Sequence, residues 1–134
     1  MFLANYYFAS TNQIYVKQLK LLKMEKTVNK VELNGFIGIN PEIKKLESGK
    51  TYTRFSLATS ESYKDKKGEW VKDTTWNNVV VWNNDETPDS KELKKGSRVQ
   101  VIGRLKNRKY TDKQGLVRYI SEIIANKLEI MGKE

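Results

Sequence analysis

From Val28 onward the apolar residues of this chain fall on alternate positions, in runs separated by Gly, Pro and polar clusters. A period of two commits the backbone to strands with one apolar and one polar side. The segment from Lys94 to Gly115 shows the pattern most clearly. Val99, Val101 and Leu105 share one parity, while Arg98, Arg104, Lys106, Arg108 and Tyr110 share the other. The first side suits a core and the second suits a phosphate chain.

The chain's 134 residues allow one domain with a modest core and leave no room for a second. Its 25 Lys and Arg against 16 Asp and Glu give a net charge of +9, which favours polyanionic partners through counterion release. Cysteine and histidine are both absent, which excludes disulfides, thiolate catalysis, zinc–thiolate sites and the commonest general base. Asp65, Asp73, Asp85, Glu86 and Asp89 sit in lysine-rich or turn-like stretches, the pattern of solvated loops and not of a carboxylate site. Neither enzymatic activity nor a cofactor or metal is expected. No apolar run is long enough to span a bilayer, so no membrane association is expected either.

The composition changes near Met24. Residues 1–23 carry Lys17, Lys20 and Lys23 and no acid, and they lack the cationic start of a secretory signal and the arginines of a transit peptide. Tyr15, Leu19 and Leu22 have helical spacing. Residues 1–23 are therefore read as an N-terminal extension and residues 24–134 as the folded domain.

Five strands are expected in that domain. The first carries Val31, Leu33, Gly35, Ile37 and Ile39 on one parity and ends at Asn40-Pro41; the second carries Thr53, Phe55, Leu57 and Thr59. The third runs from about Val71 to Trp82, after a polar loop from Tyr63 to Trp70. Pro88 to Lys95 starts at Pro and stops at Gly96, as a short helix would. The fourth strand ends in the Gly-containing connection Thr111 to Gly115, and the fifth runs from about Leu116 to Ile130. The order β-β-β-α-β-β matches an all-β fold, the five-stranded Greek-key OB barrel with one short helix between strands three and four.

Bases stack on aromatic faces while Lys and Arg follow the phosphates, so a general single-strand binder needs both kinds of residue on an open sheet. The chain offers the mixture three times: Tyr63, Lys64, Lys66, Lys67, Trp70 and Lys72 around the second connection; Trp76 and Trp82 on strand three; Lys106, Arg108, Tyr110 and Lys113 on strand four and its hairpin. Core packing would also account for tryptophans on a strand. Val79 and Val81, however, already supply an apolar side on the opposite parity. Tyr63, Trp70 and Tyr110 could instead anchor their hairpins or fill contacts between subunits.

At these residues the chain resembles the bacterial single-stranded DNA-binding protein (SSB) family. The resemblance runs from Val28 to Met131 and rests on Val28-Asn-Lys-Val-Glu-Leu-Asn-Gly35, Asn40-Pro-Glu-Ile43, Phe55-Ser-Leu-Ala-Thr-Ser-Glu-Ser62, Thr75-Trp-Asn-Asn-Val-Val80, Leu93-Lys-Lys-Gly-Ser97 and Gly103-Arg-Leu-Lys-Asn-Arg-Lys-Tyr-Thr-Asp112. It implies an OB-fold homotetramer that wraps single-stranded DNA in replication, recombination and repair, in the bacterial cytoplasm at the nucleoid. By motif position it implies base stacking by Tyr63, Trp76, Trp82 and Tyr110. Lys30, Arg54, Lys106 and Arg108 fall where family members place phosphate-contacting or polar DNA-facing residues. Many members continue into an acidic, Phe-terminated tail, whereas this chain closes with Met131-Gly-Lys-Glu134, so recruitment of enzymes through such a tail is not expected. A primosomal or RNA-binding OB-fold protein is the alternative, since aromatics and cations suit RNA as well as DNA.

Overall fold

The computed structural model describes residues 2–84 and 92–132, with side chains from Ser10 onward apart from residues 23–25. One helix, α1 (Phe2–Glu25), precedes six strands: β1 (Val31–Ile37), β2 (Glu42–Lys45), β3 (Thr51–Lys64), β4 (Trp70–Trp82), β5 (Arg98–Thr111) and β6 (Val117–Ile130). The strand order is β1-β5-β6-β4-β3-β2, and a further pairing of β1 with β3 closes the five long strands into a barrel. All pairings are antiparallel except that of β4 with β6, which is parallel. This is the expected OB fold.

The parity of the strands sets the core. Ile37, Phe55, Leu57, Val79, Val81, Val99, Val101, Ile123 and Leu128 meet inside the barrel, and Leu93 packs with them. The first half of the short helix expected over Pro88 to Lys95, together with Asp85, Glu86 and Asp89, lies outside the described residues. The residues that follow it are tied to β1: Gly96 N donates to Ile37 O at 2.8 Å and Ile37 N to Ser97 O at 3.0 Å.

Three expectations change. A sixth strand, β2, pairs along the edge of β3, with Ile43 opposite Thr53 and Lys45 opposite Thr51. All four of its residues are exposed, so no apolar alternation announced it. The first strand stops at Ile37; Gly38 still donates its N–H to Ser56 O, in register with β3, and Ile39 beyond it is exposed. Leu105 has core parity but is exposed. β1 begins at Val31, opposite Gly103, so no strand covers Leu105; the Asn29 side chain bonds both its N–H and its C=O, at 2.9 and 2.8 Å.

The hairpins share one turn design. Asp65 Oδ1 accepts from Lys67 N and Glu69 N at 2.9 Å, and Asp112 Oδ1 accepts from Gln114 N and Leu116 N at the same distance. In each turn the fourth residue, Gly68 or Gly115, has positive φ, where a side chain would be strained. A type I turn followed by a left-handed Gly is a standard short hairpin connection. These turns hold two long arms, β3–β4 and β5–β6, beyond the barrel.

Register along β5–β6 shifts by one residue, since Ile102 opposes Lys127 and Gly103 opposes Ala125, leaving Asn126 over. The bulge lets Leu128 and Ile123, of opposite parity, both reach the core. Gly103 makes it possible: a Cβ there would lie 2.0 Å from Ile124 O. Gly103→Ala should therefore lower stability by about 1–3 kcal/mol, as overpacking against backbone does. Gly132→Ala, where a Cβ would meet nothing within 4 Å, serves as a near-neutral control. Urea denaturation of both variants checks the difference.

Candidate nucleic-acid interface

The polar parity of the strands forms one continuous outer face. Across β3–β4 it pairs Tyr52 with Trp82, Arg54 with Val80, Ser56 with Asn78, Ala58 with Trp76 and Lys64 with Trp70. The parallel pairing carries it from Val80 to Ile124, and β5–β6 continues it with Arg104 opposite Ile124, Lys106 opposite Glu122, Arg108 opposite Ile120 and Tyr110 opposite Arg118. Arg54, Lys64, Trp70, Trp76, Trp82, Lys106, Arg108 and Tyr110 are thus brought onto one side.

Trp76 and Trp82 are not core residues: 60% and 41% of their surface is exposed. Burial of Val79 and Val81 from the other side of β4 explains this, because one strand cannot turn both parities inward. Trp76 lies across Gly38, where a Cβ would fall 2.2 Å from its ring. Trp82 leans on Tyr52 with ring centroids 5.2 Å apart and planes at 51°. Both rings are braced on one side and open on the other, a geometry that suits stacking of a flat ligand.

The remaining expected residues are distributed differently. Trp70 is the first residue of β4 and not a loop residue, and Lys64 Nζ sits 5.3 Å from its ring centroid. Tyr63 pairs with Val71 and so lies on the opposite side of the β3–β4 arm from the three tryptophans. Lys66 and Lys113 occupy the two arm turns, and Lys30 is exposed just ahead of β1.

Glu122 is the residue that sequence reasoning missed. It lies on the outer face yet is only 4% exposed. Arg54 Nη2 approaches its Oε2 at 3.5 Å and Arg108 Nε bonds its Oε1. The two guanidinium groups cover one carboxylate, and Arg108 also reaches the Tyr110 ring, 5.8 Å away. The triad carries a net charge of one cation, and the shared carboxylate holds both guanidinium groups against it. A single acid inside the apolar run Ile120-Ser-Glu-Ile-Ile124 was the available signal. Lys106, by contrast, makes no ion pair among the described residues.

At the tip of the β5–β6 arm, Arg118 Nε contacts Asp112 Oδ2 at 3.0 Å. That hydrogen bond, with the backbone N–H groups of Leu116 and Gln114, holds the Asp112 carboxyl below its ordinary value of 3.8. Tyr52 is a further ring on the face, recognisable only through its register with Trp82.

Residues 28–131 match the model of the single-strand binding protein family. A single-stranded DNA-binding protein from Neisseria meningitidis is 36% identical over 106 residues, covering 79% of this chain and 61% of its own length. Single-stranded DNA-binding protein 1 of Chlorobaculum tepidum is 37% identical over 110 residues, covering 81% of this chain and 68% of its own. The chain therefore spans about 61% of the length of the Neisseria relative. Among solved structures, a Plasmodium falciparum SSB complex with ssDNA superposes with a TM-score of 0.69 at 36% identity, covering 80% of this chain and 96% of that one.

Two outcomes follow from the charged groups. Glu122→Ala leaves two guanidinium groups without their shared acid and should cost about 1–3 kcal/mol, below the range for a fully buried pair because both arginines are partly exposed; thermal melting reads the loss. The Asp112 contribution to hairpin order is present above pH 3.8 and is lost as pH falls through its lowered value. An NMR titration of Asp112 should show a midpoint below 3.8, and Arg118→Ala should move it upward.

Proposed function

The chain belongs to the single-strand binding protein family, and we propose that it binds single-stranded DNA without sequence preference, protecting it in replication, recombination and repair. The observation that carries this reading is the outer face, where exposed, braced rings alternate with cations on four adjoining strands. Stacking on such rings is tolerant of sequence because every base has a π-face, and the cations follow the backbone. The protein acts by binding and not by catalysis.

In this reading Trp76, Trp82 and Tyr110 stack bases on the outer face, Trp70 extends it to the arm tip, and Tyr63 receives a base on the reverse of that arm. Lys30, Arg54, Lys64, Lys66, Lys106, Arg108 and Lys113 contact phosphates or polar DNA groups. Residues 24–134 form the binding unit, with 1–23 an appendage, and the protein works with DNA in the bacterial cytoplasm. Assembly into a homotetramer is supported by β1: residues 31–34 pair with β5 on one edge, while among the described residues β3 pairs with β1 at Phe36 and Ile37. The free edge has the form that pairs with a second copy.

Titration with oligo-dT, followed through tryptophan fluorescence, tests the reading; absence of saturable binding at low salt overturns it. Trp76→Ala and Trp82→Ala should each weaken binding by about 1–3 kcal/mol with native melting. Lys106→Ala should make the log–log salt dependence shallower by about 0.7, the value for one single-strand phosphate, while the tryptophan variants leave that slope unchanged.

A further inference from the structure

The β5–β6 arm has a second side that the outer face does not use. Past the end of β1, the core parity of these strands has nothing to cover, and it carries Asn107, Lys109 and Thr111 on β5 with Ser121, Tyr119 and Val117 opposite them on β6. Tyr119 is 72% exposed, more than Trp76, Trp82 or Tyr110. Lys109 stands directly across from it, with its Nζ 5.8 Å from the ring centroid. The neighbouring pair, Tyr110 and Arg118, places a ring and a cation on the opposite side, with the strands exchanged.

We propose that this reverse side is a further nucleotide-binding station, in which Tyr119 stacks on a base and Lys109 holds the adjacent phosphate of a single-stranded nucleic acid. The inference rests on the single-strand-binding reading above and adds a site to it. Three features select this ligand. The side carries no carboxylate along residues 107–111 or 117–121, so its charge complements a phosphodiester chain. Asn107 accepts from Ser121 Oγ at 2.8 Å through Oδ1, and its amide N–H groups remain to donate to a base edge. A two-fold contact centred on Lys109 would set it against its own counterpart, and like charges across an interface oppose association.

The route is short. Positions 109 and 119 adjoin 110 and 118 along the same ribbon, so a strand leaving the Tyr110 ring needs only to cross the arm edge to reach Tyr119. A short oligomer would be held on the outer face alone, and a longer one would engage both sides.

The test compares wild type, Tyr119→Ala, Tyr119→Phe and Lys109→Ala on oligo-dT of about 5 and about 16 nucleotides, the span of site sizes for OB folds. Tyr119→Ala should bind the longer oligomer about five- to tenfold more weakly, the lower part of the range for losing one stacked base, and bind the shorter one as wild type does. Tyr119→Phe keeps the ring and should keep the affinity. Lys109→Ala should make the salt dependence of the longer oligomer shallower by about 0.7. An oligomer containing 5-iododeoxyuridine should photocrosslink to Tyr119, as mapped by mass spectrometry. Wild-type affinity of Tyr119→Ala for both lengths overturns the inference while leaving DNA binding itself intact. Reduced self-association with wild-type affinity also overturns it and assigns the side to a second copy. Failure of the wild type to bind either oligomer overturns the single-strand-binding reading as well.

Discussion

The barrel depends on backbone passing backbone where no side chain fits. A Cβ at Gly35 would lie 2.1 Å from Ala58 O, and one at Gly103 would lie 2.0 Å from Ile124 O. The first contact is where β1 crosses to pair with β3, and the second is where the β5–β6 register slips. Closure and slip together turn a twisted sheet into a barrel and place residues of both β6 parities inside it. With the interior filled by Val, Leu, Ile and Phe, the opposite parity is turned outward, although Val80 and Glu122 on it are still buried. The tryptophans are exposed because the valines beside them are buried.

That outer face is basic, yet its centre holds a carboxylate. Glu122 sits beneath Arg54 and Arg108 in a surrounding that would penalise an unpaired charge. The cost of burying the acid is offset by two guanidinium groups whose hydrogen-bonding planes it fixes. The arginines therefore differ from Lys106 of the same face: they are ordered and partly neutralised, whereas Lys106 makes no ion pair among the described residues. Electrostatic attraction and geometric order are divided between two kinds of cation.

Alternation made much of the fold legible. Thr53, Phe55 and Leu57, Val79 and Val81, and Val99 and Val101 were assigned inward from parity, and each is buried. The same rule turned Trp76, Trp82, Arg104, Lys106 and Tyr110 outward, and each is exposed. Parity failed where pairing ends or slips. Leu105 has the right parity but no covering strand, and β2 has a pairing edge without a buried side. Tyr63 was grouped with Trp70 by nearness in the chain, although odd and even positions of a strand face opposite ways. Glu122 could not be separated from a solvated glutamate, because its partners lie 68 and 14 residues away along the chain, on other strands.

Local chemistry along the chain settles the period of each strand, the turn at each Asp-x-x-Gly, the sign of the charge and the pairing of rings with cations, since all of these act over a few residues. Register across strands, the bulge at Asn126, the triad at Glu122 and the exposure of both sides of the β5–β6 arm emerge only in the folded barrel. They depend on which strand lies beside which and where each one ends, and those are properties of closure between segments distant in the chain.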